Sequence, residues 1–117
     1  MRGAKAYLWG ASALLTVTAA LHFFGWFMVR SQLAGETLPL IRLFWFTADV
    51  DWLVVAAIWF VAGRKGSVAL RPIVLIAAIT PLASAAGMIL TLGPTFFGLW
   101  MLAIAVVLAV LGARRLV

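Results

Sequence analysis

The sequence predicts an all-α membrane protein: four transmembrane helices in an up-down antiparallel bundle, with the N-terminus and C-terminus both cytoplasmic. Three observations predict it. The chain is 67% hydrophobic and only 10% charged, whereas soluble domains run at about 45–50% apolar and about 25% charged. Polar or Pro/Gly-containing breaks divide its 117 residues into four apolar runs, each near the roughly 20 residues a bilayer crossing needs. The basic residues stand at the ends of those runs, where Lys and Arg anchor helices and set orientation. Little length is left for a soluble part, so residues 1–117 form one membrane domain.

The first helix is expected over residues 7–29, behind a basic leader containing Arg2 and Lys5. This run is too long for a signal-peptide core and ends in bulky residues, not in an Ala-x-Ala-like cleavage site. It is therefore read as a retained span. The longest polar connection, Arg30 to Arg42, holds Glu36 and Pro39; Pro39 disfavours helix before it and can open the next one. The second span is expected over residues 40–63 and ends at the basic turn Arg64-Lys65-Gly66-Ser67. Arg71-Pro72 opens the third, residues 72–92, which is dense in small residues. Ala83 and Gly87 form a small-xxx-small pair suited to close packing in lipid, and Pro81 should kink the helix. Gly93-Pro94 is a hairpin break, Thr95 a candidate N-cap, and the fourth span is expected over residues 95–113.

Charge then fixes orientation. One side carries Arg2, Lys5, Arg64, Lys65, Arg71, Arg114 and Arg115; the other has Arg30 and Arg42, offset by Glu36. Lys/Arg bias in short loops sets topology, which places the rich side in the cytoplasm and argues against a dual-topology dimer. The expected location is a multi-pass position in a membrane, most simply a bacterial inner membrane. The net charge of +6 is not a nucleic-acid footprint, because no solvated basic face exists to display it. With no cysteine and one histidine, the chain cannot build a disulfide, a thiolate site, a zinc site of its own or a bis-histidine haem. The residues assign no metal and no cofactor, and His22 alone offers a ligand to one pigment or haem iron.

The second span is the anomaly. It holds Asp49 and Asp51, two of the three acidic residues, and a carboxylate at the middle of a membrane helix costs roughly 2.5–3.5 kcal/mol on insertion scales. At about 1.5 Å per residue, His22 stands roughly 25 Å above Lys5, and the two aspartates about 20–22 Å above Arg64. All three thus fall at similar heights in the outer part of the bilayer. His22 is expected to pair with one aspartate, each stabilising the charged form of the other. Residues two apart on a helix point in roughly opposite directions. Asp51 shares its face with small residues (Thr47, Ala48, Val54, Val55) and is expected to face the bundle. Asp49 shares its face with Trp45, Phe46 and Trp52 and is expected nearer a cleft, a subunit contact or the headgroup edge, within reach of Arg42 or Arg30; the opposite assignment is the alternative.

Thr18, Ser84, Thr91 and Thr95 are candidate hydroxyls, although Ser and Thr in membrane helices usually bond their own backbone. Aromatic residues crowd the outer half, and Phe23, Trp26, Trp45, Trp52 and Trp100 are candidate ligand-binding residues. An interfacial belt plus packing explains most of that bias, while aromatic walls with a few polar groups also describe an apolar ligand site. Three functions follow. The first is an accessory or binding subunit of a membrane complex. The second is a proton- or cation-coupled transporter or channel acting as a parallel oligomer. The third is an acid/base enzyme using His22, Asp49 and Asp51 as catalytic residues on a lipid or isoprenoid, as an isomerase, epoxide hydrolase or cyclase. Expected partners are the lipid bilayer, other membrane subunits or further copies of the chain, and an apolar small molecule.

Overall fold

A computed structural model of the chain describes residues 2–33 and 35–117, with Arg2 in its backbone alone. Met1, Ala34 within the polar connection, and the Arg2 side chain counted above among the cytoplasmic charges lie outside the described residues. The described residues form helices and short turns, without a strand among them. The helices are α1 (Arg2–Val29), α2 (Leu38–Lys65), α3 (Arg71–Ala77), α4 (Ile79–Leu92) and α5 (Phe97–Arg114). Four segments are long and apolar enough to cross a membrane: Gly3–Gln32, Leu38–Lys65, Val68–Leu92 and Phe97–Arg114. The long axis of the molecule, 52 Å, exceeds the roughly 40–45 Å of a bilayer with its headgroups.

Local chemistry sets the breaks. Thr37 precedes α2 and Pro39 sits in its first turn, where a missing N–H costs nothing. At the far end Gly66 takes a left-handed conformation, φ 67°, and its N–H closes on the Ala62 carbonyl. The third span is divided at Ala78, between α3 and α4. Pro81 explains this: it has no N–H for the Ala77 carbonyl and its ring crowds that same group. The fourth span begins later than the sequence implies. Thr95 is not its cap; extended Phe96 precedes α5 with no side-chain cap, and the Trp100 indole braces the turn by donating to the Pro94 carbonyl at 2.8 Å.

Helix α1 is central, packing most extensively on α2 and α5, while α4 packs chiefly on α5. Close approach runs through glycines on α2 and α5. A Cβ at Gly63 would lie 2.8 Å from the Trp9 ring, and one at Gly112 would lie 2.7 Å from Leu8 Cγ. The pair Ala83 and Gly87, expected to mediate packing, instead faces outward, with nothing within 4 Å of a Cβ at Gly87. Side-chain hydrogen bonds stitch α1 to α2: Trp9 Nε1 donates to the Phe60 carbonyl and buried Ser12 Oγ to the Ala56 carbonyl at 2.7 Å. At one end of the molecule Arg71 donates to the Ala113 and Leu116 carbonyls at 3.0 and 2.8 Å. It thereby satisfies groups that the end of α5 leaves open.

Candidate functional site

The α1–α2 seam positions the ionisable pair. One turn after Thr18, α1 presents His22, and α2 presents Asp49 opposite it with Nδ1 and Oδ1 2.8 Å apart. Asp49 is buried, 5% exposed. This is the expected pairing of the lone histidine with an aspartate. The facing assignment is reversed: Asp49 is the inward carboxylate, and Asp51 is exposed on the outer face of α2. Neither Arg30 nor Arg42 reaches Asp49; Arg30 lies over the Phe27 ring.

The reason for the reversal is the tryptophans. Trp45 and Trp52 share the Asp49 side of α2, and both turn inward onto His22. The Trp45 indole stacks on the imidazole with centroids 4.2 Å apart and planes within 10°, while Trp52 meets it at 5.0 Å and 61°. Each indole N–H also needs an acceptor away from water. Trp45 Nε1 donates to the His22 carbonyl at 2.6 Å, and Trp52 Nε1 to Ser84 Oγ at 3.2 Å. Ser84 Oγ in turn donates a hydrogen bond to the Thr80 carbonyl at 3.2 Å. The imidazole is thus fixed by a carboxylate at one nitrogen, an indole on its face, and a second indole at an angle.

Beside it lies a cavity of about 340 Å³, within the range of small-molecule sites, about 300–1,000 Å³. His22, Thr18, Trp45 and Trp52 line it from α1 and α2; Met88, Met101, Phe96, Phe97 and Gly98 close it from α4, α5 and the turn between them. Gly25 and Met28 of α1 complete the wall. Of the five aromatic residues expected to bind a ligand, Trp45 and Trp52 belong to this lining. Phe23, Trp26 and Trp100 do not. Trp26 is buried and packs against Trp45 and Phe46. Phe23 sits in an outer cluster with Phe24, Phe27 and Phe46, and Trp100 is half-exposed. The methionines gave no sequence signal, since an unbranched apolar side chain in a span looks the same whether it faces a cavity or lipid.

Of the candidate hydroxyls, Thr18 lines the cavity but spends its proton on the Leu14 carbonyl. Thr91 bonds the Gly87 carbonyl on an exposed face, and Thr95 is exposed. The polar repertoire is therefore narrow. With Nδ1–H directed at Asp49, Nε2 has no hydrogen-bond partner among the described residues. It offers a lone pair when the ring is neutral and an N–H when it is charged. Asp49 Oδ2 is buried without a partner, so the Oδ1 contact with His22 is the carboxyl's one hydrogen bond among the described residues, and losing the imidazole would leave a buried carboxyl wholly unpaired. No group of three or more His, Cys, Asp or Glu side chains able to hold a metal occurs among the described residues. The arrangement is that of a single oriented imidazole in an apolar recess: able to accept or donate one hydrogen bond, or to exchange one proton. Compared with known proteins, the chain matches no family model, no curated protein and no solved structure.

Proposed function

We propose that this chain is a multi-pass membrane protein, with both termini cytoplasmic and four spans in up-down order, that binds an apolar small molecule beside His22 as the binding subunit of a membrane complex. The observation that carries the reading is the cavity itself. An imidazole pinned by a buried carboxylate and two indoles forms part of an otherwise apolar wall, the composition of a ligand site with one orienting polar group. A pair that only fixed helix register would need no recess beside it. The ligand enters from the membrane, places its apolar body among Met88, Met101, Phe96 and Phe97, and meets Nε2 with one polar group.

The test is purification in mild detergent followed by solvent extraction and mass spectrometry. The expected result is an apolar compound retained near one per chain and lost from Met88→Trp, which fills the recess, while the variant keeps its melting temperature. Recovery of bulk lipid alone, equal in both proteins, would refute the reading.

Acid/base catalysis is the second reading, and the Asp49–His22 contact favours it. A carboxylate on Nδ1 orients the ring and stabilises the imidazolium formed when Nε2 takes a proton. If that reading holds, His22→Gln keeps the bound compound but converts none of it. Ion transport has less support. No Asp, Glu, Lys, Arg or His occurs from Pro72 to Ala113, and Asp51 stands on a different face of α2 from the cavity.

A further inference from the structure

Asp51 is a carboxylate the cavity does not use. It sits at the centre of the 28-residue α2, about 20 Å from either end at 1.5 Å per residue. Its side chain is exposed on the outside of the bundle and makes no hydrogen bond or ion pair among the described residues. In water that position is unremarkable for an aspartate. At the middle of a span it faces hydrocarbon, where a carboxylate is costly and is normally paired.

This chain cannot supply the complement. Thr47, one turn away on the same face, already donates its proton to the Leu43 carbonyl. Five further hydroxyls within the spans are committed to backbone carbonyls: Ser12 to Ala56, Thr16 to Ser12, Thr18 to Leu14, Ser84 to Thr80 and Thr91 to Gly87. The nearest basic residue along α2, Arg42, is about 13 Å away along the axis. No ionisable side chain occurs from Pro72 to Ala113. A second copy would bring to this depth its own carboxylates and an imidazole already engaged with Asp49, 2.8 Å away, and, among the described residues, no free cation.

An apolar groove continues from the face of α2 that carries Asp51. One and two turns further along, Val54 and Ile58 begin this groove of about 390 Å³ between α2 and the start of the third span, continued by Val61, Leu70 and Ile73. Charge at the top and an apolar trough below match one kind of occupant. We infer that Asp51 is the polar centre of an intramembrane contact with a different protein, made by a transmembrane helix carrying a lysine or arginine at mid-depth. The cation neutralises Asp51, and the apolar side chains of the same helix seat in the groove. The inference rests on the chain crossing a bilayer, as proposed above, and not on the cavity beside His22.

The test uses the full chain in phosphatidylcholine vesicles, donor-labelled at its C-terminus, with acceptor-labelled polyleucine transmembrane peptides that carry Lys, Leu or Asp at the centre. Energy transfer should report at least tenfold tighter association of the Lys peptide than of the Leu peptide. Asp51→Leu should erase that preference; it replaces a group on the outer face and leaves the bundle intact, checked by helicity. Equal binding of the Lys and Leu peptides, or a preference that survives Asp51→Leu, overturns the inference. So does efficient self-crosslinking of a Val54→Cys variant, clean because the chain has no other cysteine, since that would make a second copy the occupant. Alkaline-carbonate extraction of the same vesicles reports separately on the membrane-spanning reading. Protein released to the supernatant overturns both readings, whereas retained protein with indifferent peptides overturns this inference alone.

Discussion

An imidazole and a carboxylate meeting between two apolar helices cannot be exchanged for other groups one at a time. Removing Asp49 by Leu leaves His22 Nδ1 without an acceptor in a place water reaches poorly, a loss of about 1–3 kcal/mol. Asn at the same position keeps an amide oxygen able to accept from Nδ1–H and should lie close to the parent. Asp51, on the outer face, should tolerate either change with no loss of folded stability. Unfolding midpoints in mixed detergent–SDS micelles would order the variants; an Asp51 variant falling below its Asp49 counterpart would reverse the burial described here. The meeting of His22 with an aspartate was legible in the sequence because depth follows from residue rise alone. Which aspartate was not. Small residues beside Asp51 looked packable and aromatic residues beside Asp49 looked peripheral, but packing small residues is only one way to hold helices together in lipid. Indole N–H groups need acceptors as much as carboxylates need donors. The inward turn of Trp45 and Trp52, satisfied by the His22 carbonyl and by Ser84, carries Asp49 with it.

Helix lengths and breaks follow from local sequence: Pro39 and Pro72 in first turns, Gly66 at a left-handed cap, Pro81 dividing the third span. Which small residues create helix contacts does not, because a glycine in a span carries no mark of the face it shares. The glycines now separate into two sets with opposite expectations. Gly63→Ala drives a methyl against Trp9 and Leu8, and Gly112→Ala drives one against Leu8 and Tyr7. Leu8 is fully buried and has nowhere to retreat, so each substitution should cost about 1–3 kcal/mol by overpacking. Gly87→Ala meets open space and removes a helix-disfavouring residue, so it should be neutral or stabilising by up to about 1 kcal/mol. Thermal unfolding followed by tryptophan fluorescence distinguishes the sets. A loss at Gly87 equal to that at Gly112 would mean that α4 packs through its small-residue face after all. Ser12 belongs to the same scale: its hydroxyl bridges α1 to the Ala56 carbonyl, a role the sequence hides because most serines in spans bond their own helix.

Over the whole molecule, contacts between chain ends collect the positive charge. Val68 N–H bonds the Val117 carbonyl, Arg71 clamps the end of α5, and Arg115 lies over the Tyr7 ring. These contacts bring the start of α1, the turn after α2 and the end of α5 together, and with them Lys5, Arg64, Lys65, Arg114 and Arg115. The three acidic side chains, Glu36, Asp49 and Asp51, lie elsewhere. Such an end is costly to move across a membrane, and short loops rich in Lys and Arg stay on the cytoplasmic side. A fluorescent protein fused after Val117 should therefore glow in a bacterial host, and alkaline phosphatase at the same point should be inactive. An alkaline phosphatase inserted within the polar connection at Gly35 should be active. The charge argument makes a stronger demand as well: replacing Arg64, Lys65 and Arg71 by neutral residues while adding lysines at Ser31 and Gln32 should weaken or reverse all three signals. Arg71 is the costly member of that set, because its guanidinium also holds the last carbonyls of α5. Lys at that position, which keeps the charge but not the two-pronged contact, should preserve orientation while lowering thermal stability. If orientation persists after the charges are exchanged, something other than basic-residue bias sets the topology, and the cytoplasmic assignment of the termini loses its physical basis.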